Sequence, residues 1–122
     1  AKSAKFGLRS ELRQQLPKSP IVVTEGSIRG DIAVHETMVV NFWSERCSYC
    51  RHLAPVLEEL AVEYQGRVVF GMANMEENPG LWDEYEIKAV PTVILFKNGT
   101  AAQRIVGLIP KSDLKVLIDG NF

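Results

Sequence analysis

The sequence predicts one α/β domain built around a mixed β-sheet. Strand-length apolar runs alternate with segments of helical periodicity, which favours parallel strands joined by helical crossovers. The dipeptide Asn98-Gly99 lies between the last two strand-like runs and indicates an antiparallel hairpin. The chain has 122 residues, enough for one ordinary domain and too few for two. We therefore expect a single sheet that contains both parallel and antiparallel pairs.

The first third of the chain predicts a helix and a strand, followed by an ambiguous segment. Residues 5–16 carry apolar side chains at helical spacing and are followed by prolines, which predicts a short amphipathic helix. The run PIVVTEG, residues 20–26, predicts a strand. Residues 27–36 stay open, because Ser27 could cap a helix that Gly30 would weaken. We place an N-terminal helical extension at residues 1–20 and the main domain at residues 21–122.

The middle of the chain predicts two buried strands around one long helix. The run TMVVNFWS, residues 37–44, is apolar and rich in β-branched and aromatic residues, as is typical of a buried strand. Residues 50–64 form the clearest helical pattern in the chain, and Pro55 within it predicts a kink. The run RVVFGMAN, residues 67–74, predicts the next strand.

The last third predicts a helix, the hairpin and a closing helix. Asn78 is placed to cap a helix whose first residue is Pro79 and which extends through residue 87. Residues 92–97 and 101–107 predict the two strands of the hairpin. A final helix starts near Pro110. The predicted order after the N-terminal helix is β-(α)-β-α-β-α-β-β-α.

Charge and hydropathy exclude two classes of partner. The formal net charge is −1, so the chain lacks the basic footprint of a nucleic-acid-binding protein. Its apolar runs are too short for a transmembrane helix, and its first ten residues lack the apolar core of a signal peptide. The chain does not begin with Met. We expect a cytoplasmic protein, or an extracytoplasmic one if a leader was removed.

Both cysteines lie in the stretch WSERCSYC, residues 43–50, and three interpretations compete for them. A structural zinc site needs about four ligands, but the chain adds only His35 and a badly spaced His52 to the two thiols. A purely structural disulfide between residues three apart would close a very small loop and constrain the unfolded chain little. The third interpretation is a reactive dithiol, which needs no metal and no cofactor.

The position of the cysteine pair favours redox chemistry. Cys47 follows a predicted strand and Cys50 lies in the first turn of the predicted long helix. Free backbone N–H groups and the helix dipole at this end stabilise a thiolate. Arg46 and Arg51 add positive potential. We therefore assign Cys47 as the exposed nucleophile and Cys50 as the resolving thiol of a disulfide exchange.

Over residues 21–119 the sequence resembles the thioredoxin family. The resemblance rests on FWSERCSYC at residues 42–50, on the segment Val90-Pro91-Thr92 and on FKNG at residues 96–99, all at the family's spacing. It implies a thioredoxin fold with a central mixed sheet of four or five strands and helices on both faces. The helix at residues 5–16 lies outside this family core, and we expect it to pack on the chain's own domain.

The resemblance also implies a substrate site around the dithiol. Pro91 is expected to follow a cis peptide bond beside the cysteines, with the Val90 backbone pairing with an extended substrate segment. Trp43, Tyr49, Pro91 and Leu108 are expected to form the apolar docking surface. Simple packing is the alternative for each of these side chains.

Five positions depart from the family pattern. The family's buried Asp corresponds to Asn41, and the Lys that often partners it corresponds to Met72. The residue before the first cysteine is Arg46 instead of Trp, and the central dipeptide is Ser48-Tyr49 instead of Gly-Pro. Because a buried carboxylate opposes ionisation of a nearby thiol and Asn cannot, we expect an unusually acidic Cys47. The alternative is that Asn41 and Met72 are a neutral pair in a buried pocket.

The function predicted from these features is a thiol–disulfide oxidoreductase that reduces or exchanges protein disulfides. Its expected partners are protein disulfide substrates and a reductase that recharges the dithiol, with no nucleic acid, no membrane and a monomeric state. Two alternatives stay open: a non-catalytic binding module with the same fold, and an oxidase or isomerase in an oxidising compartment. Asn41 and Arg46 favour the oxidising direction.

Overall fold

The computed structural model describes residues 15–122 of the chain. The predicted helix at residues 5–16 therefore lies almost entirely outside the described residues, as does most of the predicted extension at residues 1–20. The described part contains five strands and four helices, and their order is the one predicted from sequence. In chain order they are β1 (Ile21–Val22), α1 (Ile28–Val34), β2 (Thr37–Trp43), α2 (Ser48–Glu63), β3 (Val69–Asn74), α3 (Gly80–Glu84), β4 (Thr92–Lys97), β5 (Thr100–Val106) and α4 (Lys111–Asn121).

The five strands form one mixed sheet in the order β1-β3-β2-β4-β5. Strand β3 is parallel to both of its neighbours, β1 and β2. Strand β4 is antiparallel to β2 and to β5. The prediction of a mixed sheet of four or five strands is therefore confirmed with five. The C-terminal ends of β2, β3 and β5 and the N-terminal end of β4 all meet at one end of the sheet.

Each face of the sheet buries its own apolar core. Alternate residues of a strand point to opposite faces, so β2 sends Val40 into one core and Val39 into the other. On the Val40 face the helices α1 and α3 contribute Ile28, Ile32 and Leu81. On the Val39 face α2 and α4 contribute the side chains Leu53, Leu57, Leu60, Ala61, Leu114 and Ile118. Helices thus cover both faces, as expected.

The hairpin between β4 and β5 follows from its two turn residues. Asn98 and Gly99 have φ angles of 53° and 82°, the left-handed conformation that a two-residue turn between antiparallel strands requires. Asn and Gly are the residues that adopt it at low cost. The sequence-based prediction of a turn at this dipeptide is confirmed.

The structure decides one segment that the sequence left open and corrects one local prediction. The open segment at residues 27–36 forms α1. The prediction for α3 was wrong at both ends. Pro79 occupies the cap position that was predicted for Asn78, and the helix ends at Glu84 and not at residue 87. The Asn78 side chain instead donates to the Asn74 carbonyl and accepts from the Glu25 amide, at 3.0 Å in both cases. It therefore ties the segment after β3 to the loop after β1.

No helix within residues 15–122 is long and apolar enough to cross a membrane.

Candidate active site

Cys47 and Cys50 are joined as a disulfide at the end of the sheet where β2 and β3 finish. Their Cα atoms are 5.2 Å apart. Helix α2 begins at Ser48, so Cys47 is its N-cap residue and Cys50 lies in its first turn. This is the position that the sequence predicted for a reactive dithiol.

The two sulfur-bearing residues differ in exposure. Cys50, within the first turn of α2, is only 2 % exposed, whereas Cys47 is half-buried at the surface. Only Cys47 can therefore meet a disulfide on another protein without local unfolding. The structure thus places the predicted nucleophile outside and the predicted resolving residue inside.

The end of helix α2 provides the electrostatic environment of Cys47. The Cys50 backbone N–H donates to the Cys47 Sγ over 3.1 Å, which is the hydrogen bond that an N-cap side chain normally accepts. The Cys47 carbonyl in turn accepts from the Arg51 amide at 3.3 Å. A thiolate at Cys47 would keep the first of these bonds and gain the positive end of the helix dipole. Sequence reasoning predicted that free backbone N–H groups and the dipole act on Cys47, and the structure identifies the Cys50 amide as the donor.

The segment before β4 lies directly beside the dithiol. The Val90–Pro91 peptide bond is cis, and the Val90 carbonyl oxygen lies 3.6 Å from the Cys47 Sγ. Within residues 15–122 the Val90 N–H has no hydrogen-bond partner. The Pro91 carbonyl is used internally and accepts from the Gly107 amide at 2.8 Å. The expected neighbours Cys47, Val90 and Pro91 are therefore together, with one backbone donor left free.

The side chains expected to form an apolar surface differ in exposure. Tyr49 and Leu108 are 59 % and 48 % exposed, so both offer apolar area to a partner. Trp43 is half-buried and Pro91 is buried. The Trp43 indole Nε1 is buried and, within residues 15–122, has no hydrogen-bond partner. Tyr49 and Leu108 are thus the members of this set whose side chains are most available for contact.

Asn41 is fully buried in the middle of β2 and lies opposite Met72 in the register between β2 and β3. Its Nδ2 is 3.7 Å from the Met72 Sδ, a weak contact. Its Oδ1 is buried and finds no hydrogen-bond partner in the described part of the chain. Because successive residues of a strand point to opposite faces of the sheet, Asn41 lies on the same face as Val39. Val39 packs against helix α2. A neutral amide therefore lies in the core on the side of the helix that carries the dithiol.

Charged side chains in the segments after β2 and β3 are held by contacts that sequence reasoning missed. The Glu45 carboxylate accepts from the Asn74 amide group at 3.0 Å, and the Glu76 carboxylate accepts from the Ser44 hydroxyl at 2.6 Å. These bonds bridge the loops after β2 and β3. No sequence signal predicts them, because they join residues 29 and 32 positions apart.

Three basic side chains follow or precede the cysteines. The Arg51 guanidinium donates to the Glu45 carbonyl at 3.3 Å, and the His52 Nδ1 lies 2.9 Å from the Ser48 carbonyl. A carbonyl can only accept, so this ring nitrogen of His52 is the donor and is not directed at the Cys47 sulfur. Arg46 is exposed.

Within the described residues no group of three or more His, Cys, Asp or Glu side chains is arranged to hold a metal ion.

Comparisons with known proteins agree with this geometry. The thioredoxin family model matches residues 19–120. A thioredoxin M-type, chloroplastic, from Zea mays is 38 % identical over 100 residues, which is 81 % of this chain and 60 % of that protein. A thioredoxin from Buchnera aphidicola subsp. Acyrthosiphon pisum is 41 % identical over 83 residues, covering 68 % of this chain and 77 % of the relative.

A solved structure shares the same architecture. A mutant thioredoxin from Halobacterium salinarum NRC-1 superimposes with a TM-score of 0.80 at 28 % identity. The match covers 87 % of this chain and 93 % of that structure. Against the maize relative, by contrast, the chain spans less than two thirds of the length. The relatives include chloroplastic and bacterial proteins, so their names do not fix a compartment.

Proposed function

The chain belongs to the thioredoxin family and carries its thiol–disulfide oxidoreductase domain, and we propose that the whole protein reduces or exchanges disulfides of other proteins through Cys47 and Cys50. One observation carries this proposal. A half-buried Cys47 caps helix α2 and accepts the Cys50 amide, while a buried Cys50 lies within disulfide reach. An external nucleophile and an internal resolving group are the two parts that disulfide exchange requires.

The reaction begins with the reduced dithiol. The Cys47 thiolate attacks one sulfur of the substrate disulfide, forms a mixed disulfide and releases the other substrate sulfur as a thiolate, which takes up a proton. Cys50 then loses its proton and attacks the Cys47 Sγ, which frees the second substrate thiol. Two electrons have moved to the substrate, and the protein is left with the Cys47–Cys50 disulfide.

The substrate is proposed to dock as a short extended segment beside Val90. The free Val90 N–H supports this, because an unpaired backbone donor at the start of a strand can pair with an added strand. Tyr49 and Leu108 provide exposed apolar area on the rim. Trp43 and Pro91 would support the site from below, since one is half-buried and the other buried.

Asn41 and Arg46 are proposed to make Cys47 acidic. A carboxylate in the place of Asn41 would repel the developing thiolate, whereas the amide carries no charge. Arg46 is exposed and adjacent to Cys47, so its cation acts in the same direction. A more stable thiolate favours the reduced protein and makes the disulfide a better oxidant. The same buried amide offers Cys50 no base, so its proton must leave by another route.

The remaining partners are proposed from the direction of electron flow. In the reducing direction the disulfide must be recharged by a separate reductase, and the protein would act as a monomer in the cytoplasm. In the oxidising direction it would work in an extracytoplasmic compartment as an oxidase or isomerase. No cofactor is needed in either direction, because the dithiol itself carries the two electrons.

The experiment that tests the proposal is the reduction potential of the dithiol. The protein is equilibrated with glutathione buffers of graded ratio, and its free thiols are counted. A potential near the value of about −270 mV that is typical of thioredoxin supports a reductase. A clearly more oxidising potential supports the oxidase or isomerase. A pair that fails to exchange with glutathione at all would refute an oxidoreductase.

A binding module of the same fold is the second candidate, and the exposed Tyr49 and Leu108 favour it as a docking face. Alkylation of Cys47 separates the two. A binding module keeps its partner after the thiol is blocked, whereas an oxidoreductase loses turnover completely.

A further inference from the structure

We propose that this protein selects disulfides flanked by acidic residues, and that Arg46 and Lys88 determine this selectivity. The proposal rests on the proposed function, because it assumes that an extended substrate segment lies beside Val90 while its sulfur meets Cys47. It adds the chemistry of the substrate, which is an acidic polypeptide segment.

The first observation is the placement of two unpaired cations on either side of the point of attack. Arg46 directly precedes Cys47, and Lys88 lies two residues before Val90. The Cys47 Sγ and the Val90 carbonyl oxygen are only 3.6 Å apart, so the two segments meet there. Both basic residues are exposed, and within residues 15–122 neither side chain makes an ion pair or a hydrogen bond. Both are therefore available to a substrate.

The second observation is that the acidic residues nearest the dithiol lie mainly on its other side. In the strand order, β3 and β4 flank β2 on opposite sides. Glu45 and Glu76 are held by hydrogen bonds between the loops after β2 and β3, and Glu77 follows β3 on the same side. Lys88 and Val90 precede β4. Lys88 therefore lies on the β4 side of the dithiol, and Glu45, Glu76 and Glu77 follow β2 and β3 on the other side.

The chain before β4 also carries three carboxylates, Asp83, Glu84 and Glu86, and β5 carries a further cation, Arg104. Of these carboxylates, Glu84 is paired with Arg29 at 2.7 Å. The Arg104 guanidinium donates to the carbonyls of Tyr85 and Glu86 at 2.8 and 3.3 Å. This arrangement holds the Arg104 cation at the backbone of Tyr85 and Glu86. Along the chain Lys88 lies closer to Val90 than any of these three carboxylates, so it is the charged residue that immediately precedes the proposed substrate contact.

The geometry sets where the acidic residues of a substrate should stand. Successive residues of an extended chain advance by about 3.3 Å and alternate in direction. A substrate residue one or two positions from the attacked Cys therefore comes within reach of the long side chains of Arg46 and Lys88. Complementary charge at such a site acts mainly on the rate of association and weakens with added salt.

The test uses two synthetic peptides that each contain one internal disulfide. They are identical except that one carries Glu and the other Gln on both sides of the reactive Cys. Rates of reduction by the full, reduced chain are measured at low and high salt. Each rate is divided by the rate with a small neutral dithiol, which corrects for the intrinsic reactivity of each peptide. The ratio of the two peptides then reports selectivity alone.

We expect the Glu peptide to react about tenfold faster at low salt, and the ratio to approach one at about 1 M salt. The substitutions Arg46→Gln and Lys88→Gln should each lower the ratio, even though the first also changes thiol reactivity, because that change affects both peptides equally. Lys97→Gln is the matched control. Lys97 is exposed at the far end of β4 and should leave the ratio unchanged.

Every other outcome overturns the proposal. Equal rates for both peptides, with both reduced, would refute the selectivity and leave the oxidoreductase function standing. Faster reduction of the Gln peptide would show that the carboxylates dominate the site. An acidic preference that survives both substitutions would mean that other residues provide it. Failure to reduce either peptide would remove the proposed function together with the selectivity.

Discussion

The backbone amide of Cys50 points at the sulfur of Cys47, with 3.1 Å between the nitrogen and Sγ. This relationship makes the two cysteines unequal before any substrate arrives. The donor stabilises negative charge on Cys47, while Cys50 is 2 % exposed and cannot reach a large partner. The division of roles between them follows from the first turn of one helix.

This division predicts opposite behaviour for two single substitutions. In Cys50→Ser the nucleophile is kept and the resolving thiol is lost, so a mixed disulfide with substrate should accumulate. In Cys47→Ser the remaining thiol is buried, so adducts should be rare. Mass spectrometry of the intact protein after incubation with a disulfide peptide measures both. Equal adduct formation by the two variants would contradict the assignment.

Asn41→Asp is expected to raise the pKa of Cys47, because a carboxylate close to a thiolate opposes its ionisation. The buried position of Asn41 leaves little solvent to screen that charge. Titration of the thiolate by its ultraviolet absorbance measures the shift in the reduced protein. Asn121→Asp is a matched control, since it adds the same charge at the distant end of α4. If the thiolate of the Asn41→Asp variant titrates as in the unchanged protein, the proposed tuning is wrong.

The sequence correctly predicts the elements whose signals lie within a few neighbouring residues. The period of α2, the apolar run of β2 and the Asn98-Gly99 turn are each encoded within a few residues, and all three form where predicted. The position of the cysteine pair at the start of α2 follows from the same local pattern. These are the features that intrinsic preference and packing both favour.

Contacts between distant segments are the part that the sequence does not reveal. Asn78 looks like a helix cap, but its amide serves the loop after β1 and the end of β3 instead. The unpaired Val90 N–H and the bond between Glu45 and Asn74 likewise depend on which strands become neighbours. A role for Asn41 is indicated only by the family resemblance, because the residues around it in the sequence carry no signal of a function for this polar side chain.

We expect the free energy of unfolding to fall in alkaline solution as Tyr64 ionises. Its hydroxyl donates to the Asp119 carboxylate at 2.6 Å and ties α2 to α4. Burial, followed by this hydrogen bond and charge, raises the pKa of Tyr64 from 10.0 to about 12. The neutral phenol is thus favoured in the folded state. Its contribution is complete below pH 10 and is lost as the pH rises toward about 12.

The comparison that isolates this effect is Tyr64→Phe, which keeps the ring next to Phe70 and removes the titrating group. Near neutral pH the variant should be less stable by about 1 kcal/mol, the usual worth of a hydrogen bond. Chemical denaturation across the alkaline range should show the difference shrinking as the wild-type phenol ionises. A constant difference up to a pH of about 12 would contradict the linkage.

We expect alanine substitutions at two glycines to change the free energy of unfolding in opposite directions. Gly71 lies in β3, and a Cβ there would approach the Val23 Cγ2 to 2.5 Å and the Met38 Cε to 3.0 Å. Gly71→Ala should therefore lower the free energy of unfolding by about 1–3 kcal/mol, the usual cost of overpacking a core.

Gly30 lies inside α1, where an added Cβ meets no atom within 4 Å. Gly30→Ala should raise stability by about 0.5–1 kcal/mol, because Ala loses less backbone entropy in a helix. Chemical denaturation of both variants measures the two changes. A loss of similar size in both would show that the close packing of β3 against Val23 is not the cause.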